Sequence, residues 1–393
     1  MTCLAAFLLL AASTPALTPP TGPHPVGRSS LTWTSPQERT LFVQLWYPAR
    51  KARAAQPAPY LPASSGFSHQ SLANLFGPSW PAIESGALQT YALQNAPLAA
   101  GGQLPVLLFS PGGGAPTAAY TAQMQEFASR GYIVVTVDHP ATTPPPAANP
   151  EAAERNLSDV HAADLKFVLD RLPSLPPPFQ SRIDLARIGA FGHSRGGRTA
   201  ARLCQIDTRP KACLNQDGNW SWHPYWRDPG QPALQQPFMM LDHFDPDLPA
   251  EVYRKMGTTR EEYHQRRSRR QAEARDRLYT TVAGGSYHLT ITTPGISHNS
   301  FLDIRLLGRQ DAGTINAWPQ EIQAATSHAR ILVLITSLTR AFFDHFLSPT
   351  PKRSPGPAFP NEKELIVRRY GGATGRRSTA SPPAPTPPPV GTQ

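Results

Sequence analysis

The run Gly192-His193-Ser194-Arg195-Gly196-Gly197 constrains this chain most. A short apolar stretch, Arg187-Ile188-Gly189-Ala190-Phe191, precedes it, and helix-compatible sequence follows over 198–206. A G-x-S-x-G sequence between a strand and a helix makes a tight turn that lifts the serine above the sheet, where a histidine can reach its hydroxyl. The residues flanking the serine must be small, and Gly192, Gly196 and Gly197 meet that requirement. Taken alone, the pattern is also compatible with a glycine-rich turn holding an incidental serine.

The rest of the chain supplies a frame for such a turn. Thr40 to Tyr47, Leu104 to Ser110, Tyr132 to Asp138, Ala212 to Asn215, Phe238 to Leu241 and Tyr287 to Ile291 read as strands. Helical sequence falls between them at 118–129, 156–172 and after the elbow, with a long amphipathic helix over 321–346. Strands alternating with helices predict an α/β fold: a mostly parallel central sheet with helices on both faces. The site is expected beyond the carboxyl ends of its strands.

Domain organisation follows from composition. Residues 1–16 have an apolar core too short to span a bilayer and end in Thr14-Pro15-Ala16, which reads as a signal peptide and predicts a secreted or periplasmic protein. Residues 17–39 read as a Pro-rich leader, 40–347 as one catalytic domain with cap segments at 68–95 and 248–282, and 348–393 as a disordered Pro/Arg-rich tail. The net charge of +10 is concentrated in two places: +5 from residue 351 onward and +4 over 248–278. That distribution argues against a nucleic-acid partner and leaves at most peripheral contact with a membrane. Cys204 and Cys213 form either a disulfide or two buried thiols, and their spacing does not suit zinc.

A serine nucleophile needs a base, a group that orients the base, and donors for the oxyanion. His298 follows directly on the last strand and is the candidate base; His288 lies within that strand, and His193 adjoins the serine. For the acid, Asp217 and Asp242 each follow a strand, and topology leaves the choice between them open. The amide after the serine, that of Arg195, and Gly113 in Ser110-Pro111-Gly112-Gly113-Gly114 are the candidate oxyanion donors. The glycine loop lacks the Lys-Ser/Thr of a nucleotide site. Neither a metal nor an organic cofactor is expected.

With these parts assembled, the chain resembles the platelet-activating factor acetylhydrolase-like α/β-hydrolases, which are similar to bacterial dienelactone and polyester hydrolases. The likeness runs over 41–347 and stands on Pro59-Tyr60-Leu61-Pro62, Leu107-Leu108-Phe109-Ser110-Pro111-Gly112-Gly113-Gly114, Val137-Asp138-His139, the elbow, Ser297-His298-Asn299-Ser300-Phe301-Leu302-Asp303, Gly313-Thr314-Ile315-Asn316 and Phe342-Phe343-Asp344-His345-Phe346-Leu347. The resemblance implies an α/β-hydrolase fold, a triad of Ser194, Asp217 and His298, and hydrolysis of short-acyl lipid esters. It favours Asp217 over Asp242. The family commonly has His-Gly where this chain has Pro111-Gly112, and an apolar residue at Arg195. The side chain of Arg195 is expected either to favour a polar or anionic acyl group or to pair with a nearby carboxylate. Thioesterase or peptidase activity on the same scaffold, and a non-enzymatic basic protein that binds lipid surfaces, are the alternatives.

Overall fold

A computed structural model describes residues 17–51, 55–142, 146–218, 234–243, 250–255, 257–266, 268–269, 282, 284–308, 327–350 and 356–370. The strands are β1 (Val26–Thr34), β2 (Thr40–Pro48), β3 (Pro57–Pro59), β4 (Gln89–Gln94), β5 (Leu104–Ser110), β6 (Ile133–Asp138), β7 (Ile183–His193), β8 (Pro210–Gln216), β9 (Phe238–His243), β10 (Ser286–Ile291) and β11 (Leu365–Tyr370). The helices are α1 (His69–Phe76), α2 (Trp80–Glu84), α3 (Thr121–Ser129), α4 (Pro150–Arg171), α5 (Phe179–Arg182), α6 (Arg195–Ile206), α7 (Ala250–Lys255) and α8 (His328–Phe346).

The eleven strands among the described residues form one sheet in the order β11-β10-β9-β8-β7-β5-β6-β2-β1-β4-β3. Its middle, from β6 through β5, β7, β8 and β9 to β10, is wholly parallel. These strands are apolar on both sides because both faces are covered. Along β5, Leu107 and Phe109 face one core, with Phe127 of α3 and Phe343 of α8. Val106 and Leu108 face the other, with Leu165 of α4 and Leu203 of α6. Period-two alternation thus sends successive residues of one strand into two separate cores.

The structure corrects the proposed boundaries at both ends. The segment read as a leader contains β1, which pairs antiparallel with β2 along its length. The segment read as an unpacked tail contains β11, antiparallel to β10 from Leu365↔Ile291 to Tyr370↔Ser286. The 68–95 cap segment is partly sheet, since β4 joins β1 in parallel. These strands lie in or beyond the sheet's flanks and carry polar residues on an exposed side, so they lack the apolar run that marks the central strands. α4 begins six residues before the expected start, with the Asn149 side chain accepting the Ala152 amide at 2.9 Å as N-cap. α8 begins at His328. Residues 1–16, 309–326 and part of 248–282 lie outside the described residues, and with them the signal peptide, the Gly313–Asn316 motif and the start expected for the last helix. Cys204 and Cys213 form a disulfide between α6 and β8, with Cα atoms 6.6 Å apart.

Candidate active site

Ser194 stands at the junction of β7 and α6 with φ 55° and ψ −121°, a conformation rare for a residue with a side chain. Its amide donates to the Gln216 carbonyl of β8 at 2.8 Å, which holds the strained residue in place. The turn is packed against the end of β5. A Cβ on Gly196 would lie 2.0 Å from the Ser110 carbonyl oxygen, and one on Gly192 would lie 2.3 Å from the Gly196 backbone. Only glycine fits this approach.

Asp217 follows directly on β8 and, like the serine, has positive φ, at 53°. Its amide donates to the Leu241 carbonyl of β9 at 2.8 Å. His298 opens a 3₁₀ turn after β10, fixed by reciprocal hydrogen bonds between Ser297 and Ser300. Asp303, fully buried five residues on, anchors the segment to the Ala122 amide of α3 and the Tyr60 hydroxyl, each at 3.2 Å. Desolvation raises its proton affinity well above that of an ordinary carboxylate.

The structure brings Asp217 and His298 together: Nδ1 of His298 donates to Oδ2 of Asp217 at 2.5 Å. The His298 ring lies 4.4 Å from that of His193, the residue before Ser194, and its side chain keeps 39% exposure. Burial opposes ionisation of Asp217, but the charge and hydrogen bond of His243 and the hydrogen bond and charge of His298 outweigh it and hold the carboxyl well below its usual range. Asp242, the rival acid, is instead bonded to Nε2 of His288 on β10 at 2.8 Å. His193, Asp217 and His298 bring ligand-type atoms within 4.8 Å of one another, and each is already engaged in hydrogen bonding.

The donors for an oxyanion can be sorted by where each amide is spent. Pro111 has none. The Gly112 amide donates to the Tyr120 hydroxyl at 3.0 Å, and that hydroxyl lies 2.8 Å from Nδ1 of His193. In the arrangement that satisfies both, the phenol hydrogen goes to Nδ1. Burial, and then the charge of His298, keep the His193 ring from taking up a proton. The loop amides of Gly113 and Gly114 are not spent in the bonds just given, and the first-turn amide of Arg195 precedes the hydrogen-bond ladder of α6.

The Arg195 side chain pairs with a carboxylate. Its guanidinium grips Glu154 of α4 at 2.6 and 3.0 Å, and Arg198 adds a third bond to Glu154 at 2.6 Å. Nη1 of Arg195 lies 2.5 Å from where a Cβ on Gly113 would stand, so the guanidinium rests directly on the glycine loop.

Sequence reasoning did not find the support behind this loop. Ser110 Oγ bonds Nε2 of His139 at 2.9 Å, and Nδ1 of His139 donates to Asp164 at 2.8 Å. Arg39 closes the chain on both oxygens of Asp164 at 2.8 Å. His161 stacks on His139 at 4.1 Å, and burial holds its ring neutral. Ser110 is completely buried, so this second Ser–His–Asp series holds the loop's first residue and is not open to substrate. The signal was Val137-Asp138-His139 at a strand end. Trp220, Trp222 and Tyr225, which follow Asp217 in the sequence, lie outside the described residues.

A parallel sheet with an elbow serine at the end of its central strand and an acid–imidazole pair at the ends of later strands defines an α/β hydrolase. Residues 10–147 match the family model "Platelet-activating factor acetylhydrolase, isoform II", and residues 90–209 match "Chlorophyllase". A probable 1-alkyl-2-acetylglycerophosphocholine esterase of Arthroderma benhamiae is 34% identical over 128 residues, which are 29% of this chain and 31% of that protein. The match thus spans under a third of that curated relative. The structure of a ferulic acid esterase from Streptomyces cinnamoneus superposes with a TM-score of 0.65 and 26% identity over 91% of this chain and 99% of that one. The chain has the α/β-hydrolase fold, and over residues 10–147 it is similar to the platelet-activating factor acetylhydrolase isoform II family. No helix among the described residues is long and apolar enough to cross a membrane.

Proposed function

We propose that the protein is a serine carboxylic ester hydrolase working through an acyl-enzyme, with Ser194 as nucleophile, His298 as base and Asp217 as the acid that orients it. The observation that carries this reading is the Asp217–His298 hydrogen bond beside the strained Ser194 elbow. His298 takes the Ser194 proton as the hydroxyl oxygen attacks the ester carbonyl. The amides of Gly113 and Arg195 receive the negative charge that develops on the carbonyl oxygen; loss of one such donor commonly costs about 100-fold or more in kcat. The alcohol leaves with the proton from His298, and water, deprotonated in turn by His298, releases the acid. Asp217 stays ionised throughout and stabilises the imidazolium.

Short-acyl esters, including acetylated lipids, are the proposed substrates, in keeping with the esterase names of the relatives. Export is proposed as well, supported by the apolar N-terminal run and by the Cys204–Cys213 disulfide, a bond that persists in oxidising compartments.

The test is covalent labelling with a fluorophosphonate, followed by hydrolysis of p-nitrophenyl esters of increasing length alongside thioesters and amides. The wild-type protein is expected to label and to prefer short oxygen esters, and Ser194→Ala to do neither. Labelling that survives in Ser194→Ala would refute the assignment of the nucleophile. Asp217→Asn is expected to lose about 10⁴-fold in kcat, as the same change does in a serine protease triad. A larger loss in Asp242→Asn would transfer the acid to that residue.

A further inference from the structure

Asp217 serves two imidazoles at once. Besides His298, Nδ1 of His243 lies 2.9 Å from Oδ2 of Asp217, the oxygen that His298 already occupies. His243 is the last residue of β9 and is buried, with 4% of its side chain exposed. The strand after the one bearing Asp217 therefore places an imidazole, and not a second carboxylate, against the site. Asp242, the neighbouring acid, is occupied by His288.

An ionised carboxylate can only accept hydrogen bonds, so both Nδ1 atoms carry hydrogens and both donate to the same oxygen. Among the described residues, the groups facing His243 include Asp217 just after β8, His298 from the turn after β10, and His193 from the end of β7. Two consequences follow. First, Asp217 is fixed from two directions, while its amide is tied to β9 through Leu241, so the carboxylate cannot rotate away when His298 changes charge. Second, the oxygen shared with His243 offers less electron density to His298. If His243 is neutral, its N–H draws on that oxygen; if it is charged, it also repels an imidazolium at residue 298. In either state it competes with His298 for that oxygen.

We propose, on the basis of the triad reading above, that His243 is a positioning residue. It clamps Asp217 and keeps His298 unprotonated, and so able to act as base, at lower pH than a lone Asp–His pair would allow.

The experiment compares His243→Phe, which keeps a ring but removes the donor, with His243→Asn, whose amide places an N–H near the former Nδ1. The readouts are the pH dependence of kcat/KM on p-nitrophenyl acetate, kcat and KM separately, and NMR titration of the His298 ring protons. In His243→Phe the acid limb and the NMR midpoint are expected to move to higher pH by about one unit, a tenfold change in proton affinity. kcat is expected to fall with KM little changed, because the clamp acts on the base and not on substrate binding. His243→Asn is expected to return the limb toward the wild-type position. A folded His243→Phe whose limb and midpoint coincide with wild type would overturn the proposal, as would an Asn variant that tracks the Phe variant. If the Phe variant does not fold, His243→Leu reports the same quantity. The NMR midpoint separates this inference from the esterase reading, because it can shift as expected even if Ser194 neither labels nor turns over esters.

Discussion

Gly196→Ala puts the packing of the elbow to a quantitative test. The added Cβ would stand 2.0 Å from the Ser110 carbonyl oxygen and 2.5 Å from that of Pro111, whereas ordinary contact begins at 3.4 Å. One of the two backbones must therefore retreat by about 1.4 Å, the gap between 3.4 and 2.0 Å. Neither is free to do so cheaply. Ser110 is paired with Gly192 in the sheet and bonded through Oγ to His139, while the elbow is pinned by the Ser194–Gln216 bond. Overpacking of this kind costs about 1–3 kcal/mol in stability. A displacement near 1 Å between the Gly113 and Arg195 amides should cost about 100-fold in turnover. The expected result is thus a small loss in the urea midpoint and a disproportionate loss of kcat on p-nitrophenyl acetate, with fluorophosphonate labelling slowed in parallel. A Gly196→Ala protein with kcat within threefold of wild type would refute the argument that the loop and elbow are held in register by contact at this residue.

Two further outcomes concern stability. Asp138 is buried, accepts hydrogen bonds from the Thr117 amide at 2.6 Å and hydroxyl at 3.0 Å, and is pushed by desolvation from 3.8 up to about 7. The folded protein therefore holds a proton here that the unfolded chain loses near pH 4, so this residue's contribution to stability falls as pH rises from about 4 to 7. Asp138→Asn should remove that slope, gaining on wild type by a few kcal/mol, roughly, between pH 4 and 8 in urea titrations; parallel curves for the two proteins would contradict it. Arg39→Met should leave the Asp164 carboxylate, 2% exposed, with His139 as its remaining partner among the bonds described here, at a cost of about 3–5 kcal/mol. Because Asp164 is held below its ordinary value, although burial opposes this, by hydrogen bonds from Arg39 and His139, its contribution is present above pH 4 and fades as pH falls. The cost of Arg39→Met should shrink accordingly on acidification, and a cost constant from pH 7 to pH 3 would argue against it.

What the sequence made legible, and what it did not, divides on physical lines. Central strands such as β5 and β6 are buried on both faces and read as unbroken apolar runs, and the elbow glycines are dictated by backbone contact. The flanking strands β1, β4 and β11 spend their backbone hydrogen bonds on a neighbour while their side chains are partly solvated, so composition hid them. Asn149-Pro150 was a readable helix start, an N-cap followed by proline in the first turn. Overlooking it shortened α4 by the turn that carries Glu154, and with it the partner of Arg195. The pairing of Asp217 with His298, favoured by the resemblance, is a contact across 81 positions that no local pattern encodes. His243 and the Ser110–His139–Asp164–Arg39 chain arise from the same kind of distant convergence: His243, Ser110 and His139 lie at or just past strand ends, and Asp164 sits within α4 with no local signature.

The strand contributed by residues 365–370 also has a mechanical meaning. β11 lies along β10, and one step further the Thr292 amide donates to the Glu364 carbonyl at 2.7 Å, just as the chain leaves β10 for the turn that presents His298. The imidazole of His298, the proposed base, is thereby tethered from behind by chain that follows it by more than sixty positions. Anything that peels this strand away, whether a protease, a poorly placed fusion partner or a shortened expression product, acts on the leash of the base as well as on a distant edge.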